Sequence, residues 1–269
     1  MSDTITVINK LPSYRNSGAY GDLIYSLIIP YLVGKGDFYI AMGNLREVCR
    51  KLGYNVSDQW VDPIHRECFT DKQYDFITPL LEVQPYIHSV SKWYPGNSEE
   101  TTYDLDDFRK VLFKRFEGNY LEGFLLAHQI PYSPEVVHAT NWLTVPKPQT
   151  IAKTVIARTV RYRDRYNGDA NHKELATKGE FDKNAVFLGS PEEHADYEKV
   201  VGMKIQHYKV KDALQYAQVI AGATQLVSNQ TFAYSIAIGL GKNALLETQK
   251  TKPLEYNECY FARKNCYYF

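Results

Sequence analysis

Residues 220–247 read IAGATQLVSNQTFAYSIAIGLGKNALLE and give the strongest fold signal in the sequence. A short apolar strand is predicted at 225–227, a polar corner at 228–231 and a second strand at 244–246. Between the corner and the second strand, apolar residues recur at i, i+4 and i+8, which predicts a helix. The order of strand, polar corner, helix and strand is typical of an open parallel sheet.

The polar corner consists of Ser228, Asn229, Gln230 and Thr231. In an open parallel sheet such a corner lies at the carboxyl end of a strand and the amino end of a helix. Free N–H groups and the helix dipole favour an anion there, and phosphate is the obvious candidate. The alternative is that Ser228 or Asn229 only caps the helix.

Composition sets bounds on the class of protein. With 269 residues the chain can form one large domain or two smaller ones. Its 31 basic residues balance 31 acidic ones, which disfavours nucleic-acid binding through bulk electrostatics but leaves a local basic patch open. The 22 tyrosines are compatible with stacking or sugar contacts, and equally with ordinary cores and surfaces.

Several common sites are absent from the sequence. Cys49, Cys68, Cys259 and Cys266 form no C-x-x-C pair, which predicts free thiols in a reducing compartment. The seven histidines form no H-x-H or H-E-x-x-H pattern, so no metal is expected. No P-loop, G-x-S-x-G or G-x-G-x-x-G motif occurs. Without a signal pattern or a membrane-spanning run, the protein is expected to be cytoplasmic.

The first half of the chain predicts alternating strands and helices. A buried strand is expected at 5–8, a polar loop at 11–22 and a helix at 22–33. A second strand at 37–42 and a short amphipathic helix at 44–54 follow. Further along, we expect a helix that ends before Pro85, a strand at 86–90, an acidic surface excursion at 95–107, and helices at 106–116 and 119–128. The pattern predicts a parallel sheet with right-handed crossovers.

A proline-rich segment at 144–150 predicts the linker between two domains, 1–145 and 151–269. The second domain is expected to contain strands at 154–157, 184–189 and 204–207, and helices at 191–201 and 212–220. The aromatic tail, 255–269, could be a strand or could fold back onto the first half. The predicted fold class is therefore α/β, with two Rossmann-like halves whose parallel sheets face each other across a cleft.

Asp22 is the first candidate site residue, in a loop with Gly18, Tyr20 and Gly21. The two glycines suit a backbone that turns sharply or approaches a ligand closely. A carboxylate at this corner could act as a general base toward a hydroxyl group. It could equally be the N-cap of the following helix.

Arginines form the second candidate group, directly after the strand predicted at 154–157. Arg158 is followed by Arg161, Arg163 and Arg165. Guanidinium groups suit phosphate oxygens and would offset the charge of a leaving diphosphate. The same cluster could grip a nucleic-acid backbone or only solvate a loop.

Ser190 and Glu193 form the third candidate group, after the strand at 184–189. A carboxylate at such a corner could accept hydrogen bonds from a ribose. A helix-capping turn explains the same two residues.

Three segments together resemble one known family. SGAYGDLIYSLIIP at 17–30 is similar to the start of the heptosyltransferase-like glycosyltransferases of family nine, which have the GT-B fold. FLGSPEEHADYEK at 187–199, the segment 212–247 and the spacing between them resemble the donor domain of that family. The resemblance covers most of the chain, although the Asp-Thr-Gly usual at the corner is replaced here by residues 228–231.

The resemblance implies transfer of a sugar from a nucleotide diphosphate sugar to a hydroxyl acceptor, without a metal. The donor would bind the second half and the acceptor mostly the first. By position, Asp22 would be the base, Arg158 and Arg161 would face the diphosphate, and Asn229, Gln230 and Thr231 would meet the phosphates. Ser190 and Glu193 would contact the nucleoside, while Gly18, Tyr20 and Gly21 would form the acceptor-side loop.

The acceptor is expected to be a glycan or a hydroxylated base in phage DNA, since compact enzymes of this type occur in bacteria and phages. Two other functions fit the same residues. One is a non-catalytic protein that binds nucleotides or sugars in the same two-domain shell. The other is a nucleic-acid-binding module that uses the patch at 158–165.

Overall fold

The computed structural model describes residues 11–44, 47, 68–98, 100–112, 118–164, 167–179, 184–248 and 258–269. The predicted strand at 5–8 and nearly all of the predicted helix at 44–54 lie outside these residues. Within the described part of the chain, strands and helices alternate and every strand pair is parallel. Among these residues, no helix is both long and apolar enough to cross a membrane.

The first half contains strands in the order β3-β2-β1-β4 among the described residues. A 3₁₀ turn at Leu105–Asp107 precedes α4. The elements are, in chain order, β1 (Ser13–Asn16), α1 (Tyr20–Ser26), α2 (Ile28–Val33), β2 (Gly36–Ala41), α3 (Asp71–Glu82), β3 (Ile87–Trp93), β4 (Tyr103–Asp104), α4 (Phe108–Leu112), α5 (Tyr120–Ala127) and α6 (Pro134–Ala139).

The second half contains strands in the order β10-β9-β8-β5-β6-β7 among the described residues. Its elements are, in chain order, β5 (Thr154–Ala157), α7 (Gly168–Thr177), β6 (Val186–Phe187), α8 (Pro191–Val201), β7 (Gln206–His207), α9 (Ala213–Gly222), β8 (Gln225–Ser228), α10 (Phe232–Gly239), β9 (Asn243–Leu246) and β10 (Cys266–Tyr268).

The predicted α/β fold class with two parallel sheets is confirmed. The two sheets lie on either side of the proline-rich segment in the sequence, and this segment is hydrogen-bonded to Gln84 of the first half and to Gln218 in α9 of the second half. Thr144 N donates to Gln84 Oε1 at 3.0 Å, and Gln149 N donates to Gln218 O at 2.9 Å. The division into domains at 1–145 and 151–269 stays a prediction.

The polar stretch Ser13–Asn16 forms a buried strand, whereas the sequence predicted a loop there. Residues in and near β4 form hydrogen bonds with two of its polar side chains. Arg15 Nη2 donates to Asp104 Oδ2 at 2.8 Å, and Ser13 Oγ accepts from Thr102 N at 2.9 Å. Tyr14 faces the apolar core.

The helix predicted at 22–33 is divided at Leu27 into α1 and α2. A proline inside a continuous helix would leave the carbonyl of the residue four positions earlier without its hydrogen bond. A new helix beginning at Ile28 instead places Pro30 in a first turn, where no N–H is needed. Since α1 begins at Tyr20, Ala19 is its N-cap residue and Asp22 lies within the first turn. Asp22 is therefore not the helix cap.

The C-terminal tail both folds back onto the first half and forms a strand, which were the two alternatives left open by the sequence. Its Phe261 ring packs against the first half, with centroids 6.1 Å from Tyr25 and 6.5 Å from Trp142. The chain then enters the second sheet as β10, which pairs with β9. A single cluster of buried apolar residues accordingly includes side chains from both halves and from the tail.

Candidate active site

The first β–α corner of one sheet meets a β–α corner of the other. Tyr20 begins α1 and Phe232 begins α10, and their ring centroids are 5.2 Å apart. We call the region between residues 18–22 and 228–231 the junction. Because both helices begin there, the carboxyl ends of β1 and β8 point toward the junction, as the fold class predicts for a ligand site.

The loop before α1 is shaped by close contact with Arg109. A Cβ added to Gly18 would lie 2.8 Å from Arg109 Nη2 and 3.0 Å from Asp22 Cβ, so a side chain at that position would displace the Arg109 guanidinium. At Gly21 the same test finds open space, and no steric reason for glycine. Tyr20 packs its ring against Phe69, Phe76 and Phe232. Gly18 and Tyr20 thus have structural contacts that place Asp22.

Asp22 is paired with a cation. Arg109 Nη2 donates to Asp22 Oδ2 at 3.1 Å, and about a quarter of each side chain is exposed. Arg109 Nε also lies 3.5 Å from Asp106 Oδ1. Asp106 belongs to the segment predicted as an acidic surface excursion, yet it is only 1% exposed. That prediction is wrong for Asp106, because Arg109 and the Ser17 N–H compensate the buried carboxylate.

The loop that follows β5 brings Tyr162 near Asp22. Burial raises the pKa of Tyr162, Arg161 lowers it, and the charge of Asp22 raises it again. Burial and then the same Asp22 charge also raise the pKa of Tyr120. The charge of Asp22 thus acts on one tyrosine in each half of the chain.

At the second corner, Asn229 ties two loops together. Its side chain accepts a hydrogen bond from Thr159 N at 3.1 Å and donates one to Thr159 O at 2.7 Å. Ser228 Oγ lies 2.8 Å from Thr231 Oγ1. The N-cap residue of α10 is Thr231, and its side chain makes no capping hydrogen bond. The alternative that Ser228 or Asn229 caps this helix is therefore wrong.

Arg158 is buried and paired within the second half. Its Nε and Nη2 donate to Glu247 at 2.6 and 2.7 Å, and its Nη1 donates to Asp169 at 2.9 Å. Burial alone would raise the pKa of Glu247, but hydrogen bonds from Arg158 and His172 lower it to about 2. The expectation that Arg158 faces a diphosphate is corrected, because all three guanidinium nitrogens are directed at carboxylates.

The other arginines of the cluster differ in their surroundings. Arg163 pairs with Asp169 and Asp196. Arg161 is exposed, with its guanidinium 5.1 Å from the centroid of the Tyr162 ring. Arg165 lies outside the described residues. Two of the cations are thus compensated by acids, which weakens the interpretation of this patch as a nucleic-acid surface.

Ser190 and Glu193 form a reciprocal capping box at the start of α8. Glu193 N donates to Ser190 Oγ at 3.2 Å, and Ser190 N donates to Glu193 Oε2 at 2.9 Å. The helix-capping interpretation of the two residues is confirmed. Contact with a ribose stays a prediction.

Sequence reasoning did not select Arg109, Tyr162 or Glu247 as site or network residues. The i, i+3 spacing of Asp106 and Arg109 is a local signal that could have indicated their ion pair. Glu247 follows a buried strand, and a carboxylate in that position could have been paired with Arg158. Tyr162 lies within the arginine cluster, with no further signal.

Several solved glycosyltransferases share this two-sheet fold. The glycosyl transferase of family 9 from Veillonella parvula matches with a TM-score of 0.51 and 10% identity, over 97% of this chain and 86% of that chain. E. coli ADP-heptose lps heptosyltransferase II matches with a TM-score of 0.51 and 10% identity, over 96% of this chain and 90% of that chain. The iron-containing dodecameric glycosyltransferase TibC from enterotoxigenic E. coli matches with a TM-score of 0.51 and 13% identity, over 96% of this chain and 62% of that chain.

At such low identity the likeness establishes the fold, and it confirms the predicted GT-B class. The sequence matches no protein-family profile and no curated protein. Within the described part of the chain, no group of three or more His, Cys, Asp or Glu side chains could hold a metal ion.

Proposed function

We propose that the protein is a glycosyltransferase that moves a sugar from a nucleotide diphosphate sugar to a hydroxyl acceptor. One observation supports this most directly: Asp22, at the helix start of the first sheet, lies at the junction opposite the uncapped start of α10. This arrangement supports Asp22 as the base, because its carboxylate lies across from a helix start that favours an anion. The shared fold with solved glycosyltransferases adds to the proposal.

In the proposed reaction, Asp22 takes the proton of the acceptor hydroxyl. The oxygen forms a bond to the anomeric carbon of the donor while the bond from that carbon to the diphosphate breaks. The nucleoside diphosphate leaves with the electron pair, toward the positive end of the α10 dipole. Direct displacement inverts the configuration at the anomeric carbon.

The donor side of the proposal lies in the second half. The backbone N–H groups of Gln230 and Thr231 face the diphosphate, while exposed Arg161 adds a positive charge. Ser190 and Glu193 contact the nucleoside. Asn229 supports this side indirectly by holding Thr159, and Arg158 is assigned to the fold.

A thermal-shift panel of UDP, ADP, GDP and CDP and their sugars tests donor binding. A ligand at a hundred times its dissociation constant stabilises by about 2.7 kcal/mol, which raises the melting temperature by about 5 °C in a chain of this size. Absence of a shift with every nucleotide would contradict the proposal. Binding without release of nucleoside diphosphate would instead support a non-catalytic sugar-binding protein.

Replacing the proposed base gives the decisive variant. Asp22→Asn should keep donor binding and lower turnover by about 10²–10⁴-fold, because the amide cannot accept the proton. Nucleoside diphosphate release is the measurement. Asp71→Asn is the matched control, since Asp71 lies in the first turn of α3 with a side chain 74% exposed. Near-normal turnover of Asp22→Asn would contradict the proposed mechanism.

The finer parts of the proposal concern the acceptor and the metal. Transfer of labelled sugar to a glycan or to DNA with hydroxylated bases separates the two acceptor classes. The reaction is proposed to need no metal ion, so activity abolished by EDTA and restored by a divalent cation would contradict that part.

A further inference from the structure

A chain of charged contacts outside the predicted site residues ends at Asp22. It runs from buried Asp106 through Arg109 to the Asp22 carboxylate. We propose that Arg109 is a positioning residue for the Asp22 base, and that Asp106 orients Arg109. The inference rests on the proposed function, because it assigns Arg109 a role only if Asp22 accepts a proton.

The contact with Arg109 uses one oxygen of the base. Arg109 Nη2 donates to Asp22 Oδ2 at 3.1 Å. Among the described residues, Asp22 Oδ1 receives no hydrogen bond, which leaves this atom for a substrate hydroxyl. A carboxylate fixed through one oxygen keeps the other in a single orientation. Such preorganisation matters, because a misplacement of about 1 Å at a reacting group can cost about 10²-fold in rate.

Asp106 fixes the position of Arg109 and of the loop that contains Asp22. Its Oδ2 accepts a hydrogen bond from Ser17 N at 3.0 Å, and its Oδ1 lies 3.5 Å from Arg109 Nε. Gly18, the next residue in that loop, lies against the same guanidinium. One buried carboxylate thus joins the loop after β1 to the arginine of α4.

The second carboxylate also has an electrostatic use during the reaction. When Asp22 takes the proton it becomes neutral, and Arg109 loses one counter-ion. Asp106 remains as the other counter-ion, so the partly buried guanidinium is not left unpaired. The arrangement lets Asp22 change its charge without a rearrangement of the surrounding charges.

Several groups set the charge of Asp106. Burial raises the pKa of Asp106, Arg109 lowers it, Asp104 in β4 raises it, and Ser17 of the β1–α1 loop lowers it. The net result is a pKa of about 6. Arg109 is faced in turn by Asp22 from α1 and Tyr120 from α5. Asp106 is therefore expected to lose its charge, and with it part of its hold on Arg109, as the pH falls below about 6.

The test is nucleoside diphosphate release over a range of pH, with the nucleotide sugar that gives the largest thermal shift as the probe. Arg109→Gln should lower kcat by about 10- to 100-fold with the donor KM unchanged. Arg109→Lys should not restore kcat, and Asp106→Asn should remove a limb near pH 6.

Lys110→Gln is the matched control, because Lys110 neighbours Arg109 on α4 and pairs with Asp107 at 2.7 Å. It should leave kcat and the pH profile unchanged. Donor binding, measured by thermal shift, shows that each variant is folded. If Arg109→Gln is not folded, Asp106→Asn is the variant that tests the inference. If Asp22→Asn is inactive while Arg109→Gln keeps the wild-type kcat and pH profile, this inference is overturned and the proposed function is not. If only Asp106→Asn is folded, the same result in that variant decides. An active Asp22→Asn would overturn the proposed function.

Discussion

Arg109 and Arg158 each bridge two carboxylates, but in different surroundings. Arg109 contacts Asp22 and Asp106 with its side chain 25% exposed, whereas Arg158 contacts Glu247 and Asp169 with its side chain 3% exposed. Arg158 donates to both oxygens of Glu247, whereas among the described residues Arg109 donates only to Oδ2 of Asp22. We therefore assign the Arg109 pair to the proposed site and the Arg158 pair to the fold.

The buried network is centred on Glu247. Besides Arg158, the Glu247 carboxylate accepts a hydrogen bond from Asp164 N at 2.8 Å and lies 3.1 Å from His172 Nε2. His172 Nδ1 is 3.0 Å from the Tyr197 hydroxyl. A Cβ on Gly168 would lie 2.0 Å from Glu247 Oε1, so only glycine fits beside the carboxylate. These contacts connect Arg158 and Asp164, which follow β5, to Glu247 at the end of β9 and to α7.

Removing Glu247 should give the largest change in stability. Glu247→Ala leaves Arg158 buried without its main counter-ion, and we expect a loss of about 3–5 kcal/mol in the free energy of unfolding. Urea denaturation gives this quantity. Glu174→Ala is the control, because Glu174 forms an exposed pair with Lys178 that should contribute about 0.5 kcal/mol or less. Similar losses in both variants would contradict the distinction between buried and exposed pairs.

The two networks should respond to pH with opposite signs. The pKa of Glu247 is lowered from 4.5 to about 2, so its stabilisation is present above pH 4.5 and lost as the pH falls toward 2. The pKa of Asp106 is raised from 3.8 to about 6, so its contribution is fully present below pH 3.8 and lost as the pH rises through 6.

Urea denaturation of Glu247→Gln and Asp106→Asn across this pH range measures both effects. Relative to wild type, Asp106→Asn should become more stable by about 2 kcal/mol between pH 4 and pH 8. The deficit of Glu247→Gln should shrink by about 2 kcal/mol between pH 5 and pH 3. Equal slopes in the two variants would show that the hydrogen bonds from Arg158 and His172 do not distinguish Glu247 from the equally buried Asp106.

Local signals explain which parts of the fold could be predicted. Helix α8 was predicted at its observed bounds, because the capping box of Ser190 and Glu193 lies within four residues. The helix predicted at 212–220 is observed as α9, and its N-cap is Asp212, whose side chain accepts a hydrogen bond from Gln215 N at 2.8 Å. Strand β1 was missed because two of its polar residues, Ser13 and Arg15, form hydrogen bonds with partners 89 positions away in the sequence.

For the candidate site, the sequence could predict which corners would meet but not the contacts within them. The corners at 18–22 and 228–231 were selected, and the structure brings them together through Tyr20 and Phe232. The pairing of Arg158 depends on Glu247, again 89 positions away, and residue type alone cannot reveal it. An arginine after a strand looks the same in the sequence whether it faces a ligand or a buried carboxylate.

Arg161 offers the smallest stability effect and a sharp contrast with Arg158. Because Arg161 is exposed, Arg161→Gln should change the free energy of unfolding by no more than about 0.5 kcal/mol. Donor affinity should nevertheless fall by about tenfold, since a charge-assisted contact with the diphosphate would be lost. The thermal shift produced by a titrated nucleotide diphosphate gives both quantities in one experiment. Unchanged affinity would remove Arg161 from the donor site and leave the α10 helix start as the proposed phosphate contact.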